Sequence, residues 1–138
     1  MGAWGIHNFK NDDAQDFAYD VMEEGKSKIK DALLKINKSN SYIDVTESLE
    51  ALAAAEIIAA AKHKPAKDLP EDMKDWLNKN DALTYKKSLF RKPVNLVQLA
   101  QNAINKVVEN SELKELWEES GEFEDWKAVQ DNLMARLK

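Results

Sequence analysis

Apolar residues recur along almost the whole chain at the spacing of an α-helix, and strand-like alternation never exceeds four residues. The first periodic stretch covers about residues 12–24. Its Ala14, Phe17, Ala18, Val21 and Met22 fall on one stripe, with Asn11 placed to cap it and Gly25 to end it. A second stretch, about 27–38, carries Ile29, Leu33 and Ile36. Asp44 opens the third, where Asp44-x-x-Glu47 reads as a capping-box variant before an Ala-rich run to His63. After a loop bracketed by Pro65 and Pro70 comes a short helix using Met73, Trp76 and Leu77, then a helical piece over about 81–91 that Pro93 ends. Residues 94–109 place Leu96, Ala100, Ala103, Ile104 and Val107 on one face. Ser111 caps a short helix with Leu113, Leu116 and Trp117, closed by Gly121, and the last helix aligns Trp126, Val129, Leu133 and Leu137. The pattern predicts an all-α bundle of about seven helices in a single domain spanning residues 1–138. Residues 1–11 form an irregular N-terminal arm whose Trp4 and Phe9 pack on the bundle.

Composition narrows the chemistry. Four Gly and three Pro in 138 residues are too few turn signals for a β-sandwich. With no Cys, disulfide scaffolds, thiolate zinc sites and Cys nucleophiles are excluded. Two histidines, His7 and His63, make a poor basis for a metal site, so no metal and no cofactor is expected. The longest apolar stretch, within residues 51–61, is broken by Glu56 and is too short to span a bilayer. The opening lacks the basic and apolar regions of a secretion signal, so the expected location is cytoplasmic, with no membrane partner.

Formal charge is −5, the wrong sign for direct nucleic-acid binding. Lysine-rich patches (Lys26, Lys28, Lys30, Lys35; Lys86, Lys87, Arg91, Lys92) are not interleaved with aromatic stacking platforms. Residues 1–25 hold six acids and one base. Asp16, Asp20 and Glu24 repeat at i, i+4 and i+8, opposite the Phe17/Val21 stripe. Glu115, Glu118, Glu119 and Glu122 form a second acidic row. Like charges at such spacings cost a helix about 0.2–0.5 kcal/mol per pair, so a retained row is a candidate surface for a basic partner. Glu56 is the other candidate. It falls in the middle of the apolar face made by Leu49, Leu52, Ala53 and Ala60, where a carboxylate needs a partner. Backbone N–H groups or a Trp indole would satisfy it in a structural role, whereas an unpaired acid there could serve as a general acid or base.

The opening Met1-Gly2-Ala3-Trp4-Gly5-x-x-x-Phe9-x-Asn11-Asp12-x-Ala14-x-Asp16-Phe17 resembles that of a bacterial domain-of-unknown-function family. Ala53-Ala54-Ala55-Glu56, and Ser111-Glu112-Leu113-x-x-Leu116-Trp117-Glu118 followed by Trp126, resemble it as well. His7 stands where that family has a small residue, often Gly. The resemblance implies a fold kinship and a bacterial cytoplasmic setting, and it assigns no reaction.

A small, acidic, Cys-free domain with no visible active site is similar to an immunity protein of a toxin–immunity pair. The expectation is therefore a non-enzymatic inhibitor that occludes a basic protein toxin, a nuclease delivered by neighbouring bacteria. Asp16, Asp20, Glu24, Glu115, Glu118, Glu119 and Glu122 are its candidate contact residues, and Trp4, Phe9, Glu56, Trp76, Trp117 and Trp126 are assigned to the fold. The alternatives are a small enzyme built on Glu56 and a self-associating scaffold domain.

Overall fold

The computed structural model describes residues 5–83 and 95–138, and among them the chain forms seven helices and no strand. They are α1 (Asp12–Glu24), α2 (Ser27–Asn37), α3 (Val45–Ala61), α4 (Glu71–Lys79), α5 (Leu96–Glu109), α6 (Glu112–Ser120) and α7 (Phe123–Leu137). Trp4, the second lysine patch and most of the helical piece expected over 81–91 lie outside the described residues. Asp81–Leu83 is not helical, and its Leu83 N–H donates to Asp81 Oδ1 at 2.9 Å.

Local chemistry sets the helix ends. The Asn11 carboxamide accepts from Ala14 N–H at 2.7 Å, Asp44 from Glu47 N–H at 2.7 Å, and Ser111 from Lys114 N–H at 3.1 Å. Asn95 does the same for α5 through Gln98 N–H at 3.0 Å. Gly121 ends α6 at φ 81, in the left-handed region that a residue without Cβ adopts at little cost. The end of α3 departs from expectation. The helix stops at Ala61, and the chain turns through His63 at φ 68. His63 N–H donates to Ala60 O at 2.9 Å and Lys64 N–H to Ala59 O at 3.0 Å, a Schellman turn with a histidine in the glycine position.

α3 is the axis of the bundle and packs against every other helix. The sequence predicts one apolar face, but the structure buries the whole circumference from Ala51 through Ala59. Alanine makes this possible, because a row of methyl side chains lets neighbouring helices approach α3 from all sides. Around it Phe17, Val21, Ile29, Leu33, Ile104 and Leu133 complete one continuous core. Trp117 and Trp126 are buried and Trp76 is half-buried against the core. On α7 the buried face is Trp126, Gln130, Leu133 and Leu137, while Val129 is only half-buried. A glutamine thus takes an inward position that the apolar pattern had given to valine. Lys106 of α5 donates to Ile36 O, Asn37 O and Ser39 O at 3.3, 2.7 and 3.2 Å, capping α2 with a charge from another helix.

Candidate functional site

The second acidic row is built by α6. Burial of Leu113 and Trp117 turns Glu115, Glu118 and Glu119 to solvent, and Glu122 is exposed just beyond Gly121. Two bonds join the start of α6 to the start of α3: Glu112 N–H donates to Ile43 O at 2.9 Å, and Glu112 Oε1 accepts from Val45 N–H at 3.1 Å. The same junction brings Tyr42, 49% exposed, beside α6, where its hydroxyl donates to Glu115 Oε2. That hydrogen bond, then desolvation, then the charges of Glu115, Glu112 and Glu119 push the phenol up to about 12. Residues 112–125 contain seven acids and one base, Lys114, which pairs with Glu118 at 3.2 Å. This segment alone is −6 in a chain of −5, so the remainder of the protein is close to neutral.

The first row, on α1, is in different surroundings. Asp16 and Glu24 are exposed and Asp20 is half-buried. Glu24 pairs with Lys28 of α2 at 3.5 Å. Burial raises the Glu50 carboxyl above the ordinary range; nearby Lys35 and Lys28 pull it down while Asp13 and Asp20 push it up. The acids of α1 therefore sit among α2 lysines that their own helix lacks. α1 and α6 do not pack against each other, and each reaches α3 independently. The seven candidate acids fall in two groups, one on α1 and one on α6 and the turn that follows it.

Glu56 is 1% exposed, and its partners come from across the chain. Arg136 of α7 donates from Nη1 to Oε1 at 2.8 Å and from Nη2 to Oε2 at 3.2 Å. Asn8 of the arm adds Nδ2 to Oε2 at 2.9 Å. Asn8 also exchanges paired amide bonds with Gln130, at 3.0 and 2.9 Å. Arg136 is oriented further by Asn132 Oδ1 at 2.7 Å and Lys64 O at 3.1 Å. The arm is pinned as well by buried Phe9, whose N–H donates to Asp68 at 3.1 Å. Among the described residues the partners of Glu56 are side chains of the arm and of α7, not backbone donors, and Trp4 lies outside the described residues. The two residues that bond it, Asn8 and Arg136, were not singled out in the sequence, because they lie 48 and 80 positions from Glu56.

Above this network lies an open groove of about 880 Å³ between the arm (Ile6, His7, Lys10), the α3–α4 loop (Pro65–Asp68) and the outer face of α7. Its walls are partly apolar, with convergent polar groups at its floor and rim, and its volume lies within the range of small-molecule sites. Among the described residues no group of three or more His, Asp or Glu is arranged to hold a metal ion, and no helix is long and apolar enough to cross a membrane.

No curated protein and no solved structure matches this chain. A family model does match, over residues 2–129, which takes in the arm, Glu56 and the whole of α6 and stops just before Gln130. The chain belongs to the family described as a domain of unknown function, DUF4259.

Proposed function

We propose that this protein is a binding inhibitor that docks a basic protein on its α6 face, and that the basic protein is a toxin, specifically a nuclease, against which this chain provides immunity in the cytoplasm. The observation that carries the reading is the concentration of charge at residues 112–125 around a half-exposed tyrosine. Protein interfaces combine an aromatic anchor with a polar rim, and tyrosine is among the residues most enriched at binding hot spots. Glu115, Glu118, Glu119 and Glu122 would stand where a nucleic acid places its phosphates on a cationic cleft, and Tyr42 would supply the desolvated contact. The α1 row is the weaker candidate, since α2 lysines already lie among its acids. An enzyme built on Glu56 is less favoured, because both oxygens of that carboxylate accept from Arg136.

The test uses three baits in extracts of the source cells: the native chain, a Glu115→Lys/Glu118→Lys/Glu119→Lys variant, and an Asp16→Lys/Glu24→Lys variant. A basic protein retained by the first and third baits but lost from the second is the expected result. The purified partner should then lose its nuclease activity on addition of the native chain. Association should slow steeply with salt, and Tyr42→Ala should weaken binding by about 2 kcal/mol, roughly 30-fold. Equal capture by the α6 variant, or a captured protein whose activity the chain leaves intact, rejects the proposal.

A further inference from the structure

The groove over Glu56 is distinct from the α6 face and shares with its acidic segment only Asp125. We infer that it is a binding site for a small organic monoanion with an apolar body. Ile6, Pro65, Ala66, Ala128 and Val129 supply the apolar walls. The charges around them are unequally engaged. Glu56 is paired with Arg136, and Asp68 accepts from Phe9 N–H. Asp125 lies in the first turn of α7, where the helix dipole favours an acid. Lys10 and Lys67 line the same groove, both exposed, and neither ammonium group has an ion pair or a hydrogen bond to any described residue. Arg136 is 17% exposed and uses four of the five guanidinium N–H donors: one on Nε, two on Nη1 and one on Nη2. A second Nη2–H remains, on a guanidinium that Glu56, Asn132 and Lys64 O already hold in one orientation. Such an ordered donor, in a groove that the Lys10 and Lys67 ammonium groups also line, suits a carboxylate.

α7 also sets the charge of the ligand. Asp125 and Arg136 are eleven residues apart on one helix, about 16 Å at the α-helical rise. An anionic head at the Arg136 end places its tail toward Asp125, which repels a second anionic group there. The site therefore selects a monoanion over a dianion of the same length.

The experiment titrates octanoate, octylamine and the dicarboxylate suberate into the isotope-labelled full chain and follows backbone amide shifts by NMR. Octanoate is expected to give saturable shifts at the arm, at the α3–α4 loop and along α7, with α6 unmoved. Octylamine and suberate should bind at least tenfold more weakly. Lys10→Glu/Lys67→Glu should weaken octanoate at least tenfold, and Ala128→Phe, an exposed position that narrows the groove without touching the network, should abolish it. Equal binding of octylamine, octanoate shifts indifferent to both variants, or no saturable shift at millimolar octanoate overturns the inference. Because α6 is not involved, failure here leaves the inhibitor proposal standing, and the reverse holds too.

Discussion

Replacing Arg136 by Met removes the only cation among the described residues that is bonded to Glu56, a carboxylate 1% exposed. Two charge-assisted hydrogen bonds, at 2.8 and 3.2 Å, disappear, and among the described residues Glu56 keeps only the Asn8 amide. Breaking one side of a buried ion pair costs roughly 3–5 kcal/mol. The groove admits water beside Arg136, which places this case at the lower end, at about 3 kcal/mol. For 138 residues the unfolding entropy is about 0.29 kcal/mol/K, so Tm should fall by about 10 °C. Urea denaturation followed by tryptophan fluorescence and by circular dichroism measures the loss, with an unchanged m-value expected if the folded state is otherwise intact. The decisive comparison is Glu56→Met/Arg136→Met. A buried pair replaced on both sides by apolar residues leaves no orphaned charge, so the double variant should be at least about 1 kcal/mol more stable than Arg136→Met alone. A double variant that is less stable than the single one, or a single variant costing under about 1 kcal/mol, would refute the claim that this pair governs the site's energetics.

Three further outcomes follow from single contacts. His63→Gly should stabilise the protein by about 1 kcal/mol in thermal unfolding, because the left-handed φ of 68 strains a residue with a Cβ and not glycine. Lys106→Met should destabilise by about 2 kcal/mol in urea, since it removes a charged donor from three carbonyls at the end of α2. Glu50→Gln should stabilise near neutral pH. Desolvation raises this carboxyl, so its ionisation opposes folding as pH climbs through its folded-state titration, and the advantage of the glutamine should vanish below about pH 4, where the native carboxyl is protonated in both states. Paired urea curves at acidic and neutral pH measure the difference, and an advantage that grows on acidification contradicts the assignment.

Helix positions were legible in the sequence wherever the responsible groups are neighbours along the chain. Asn11, Asp44 and Ser111 bond the amide three residues on, and Gly121 takes its left-handed turn within its own helix end. Phe17, Ile29, Leu33, Ile104 and Leu133 were recognisable as core because helical spacing aligns them before any partner is known. The acidity of α6 was equally plain, being a property of consecutive residues. Tertiary structure alone decided where these features meet. It put Tyr42 against Glu115 and put α2 lysines beside the acids of α1, so two rows that look alike in sequence differ in what surrounds them. It exchanged Val129 for Gln130 on the inner face of α7, because Asn8 waits there with a complementary amide. It also joined Glu56 to an arginine 80 residues away. Helical periodicity and capping act over at most a few residues, so they carry local structure. The pairing of buried charges is selected by the packed bundle, in which chain separation no longer measures distance.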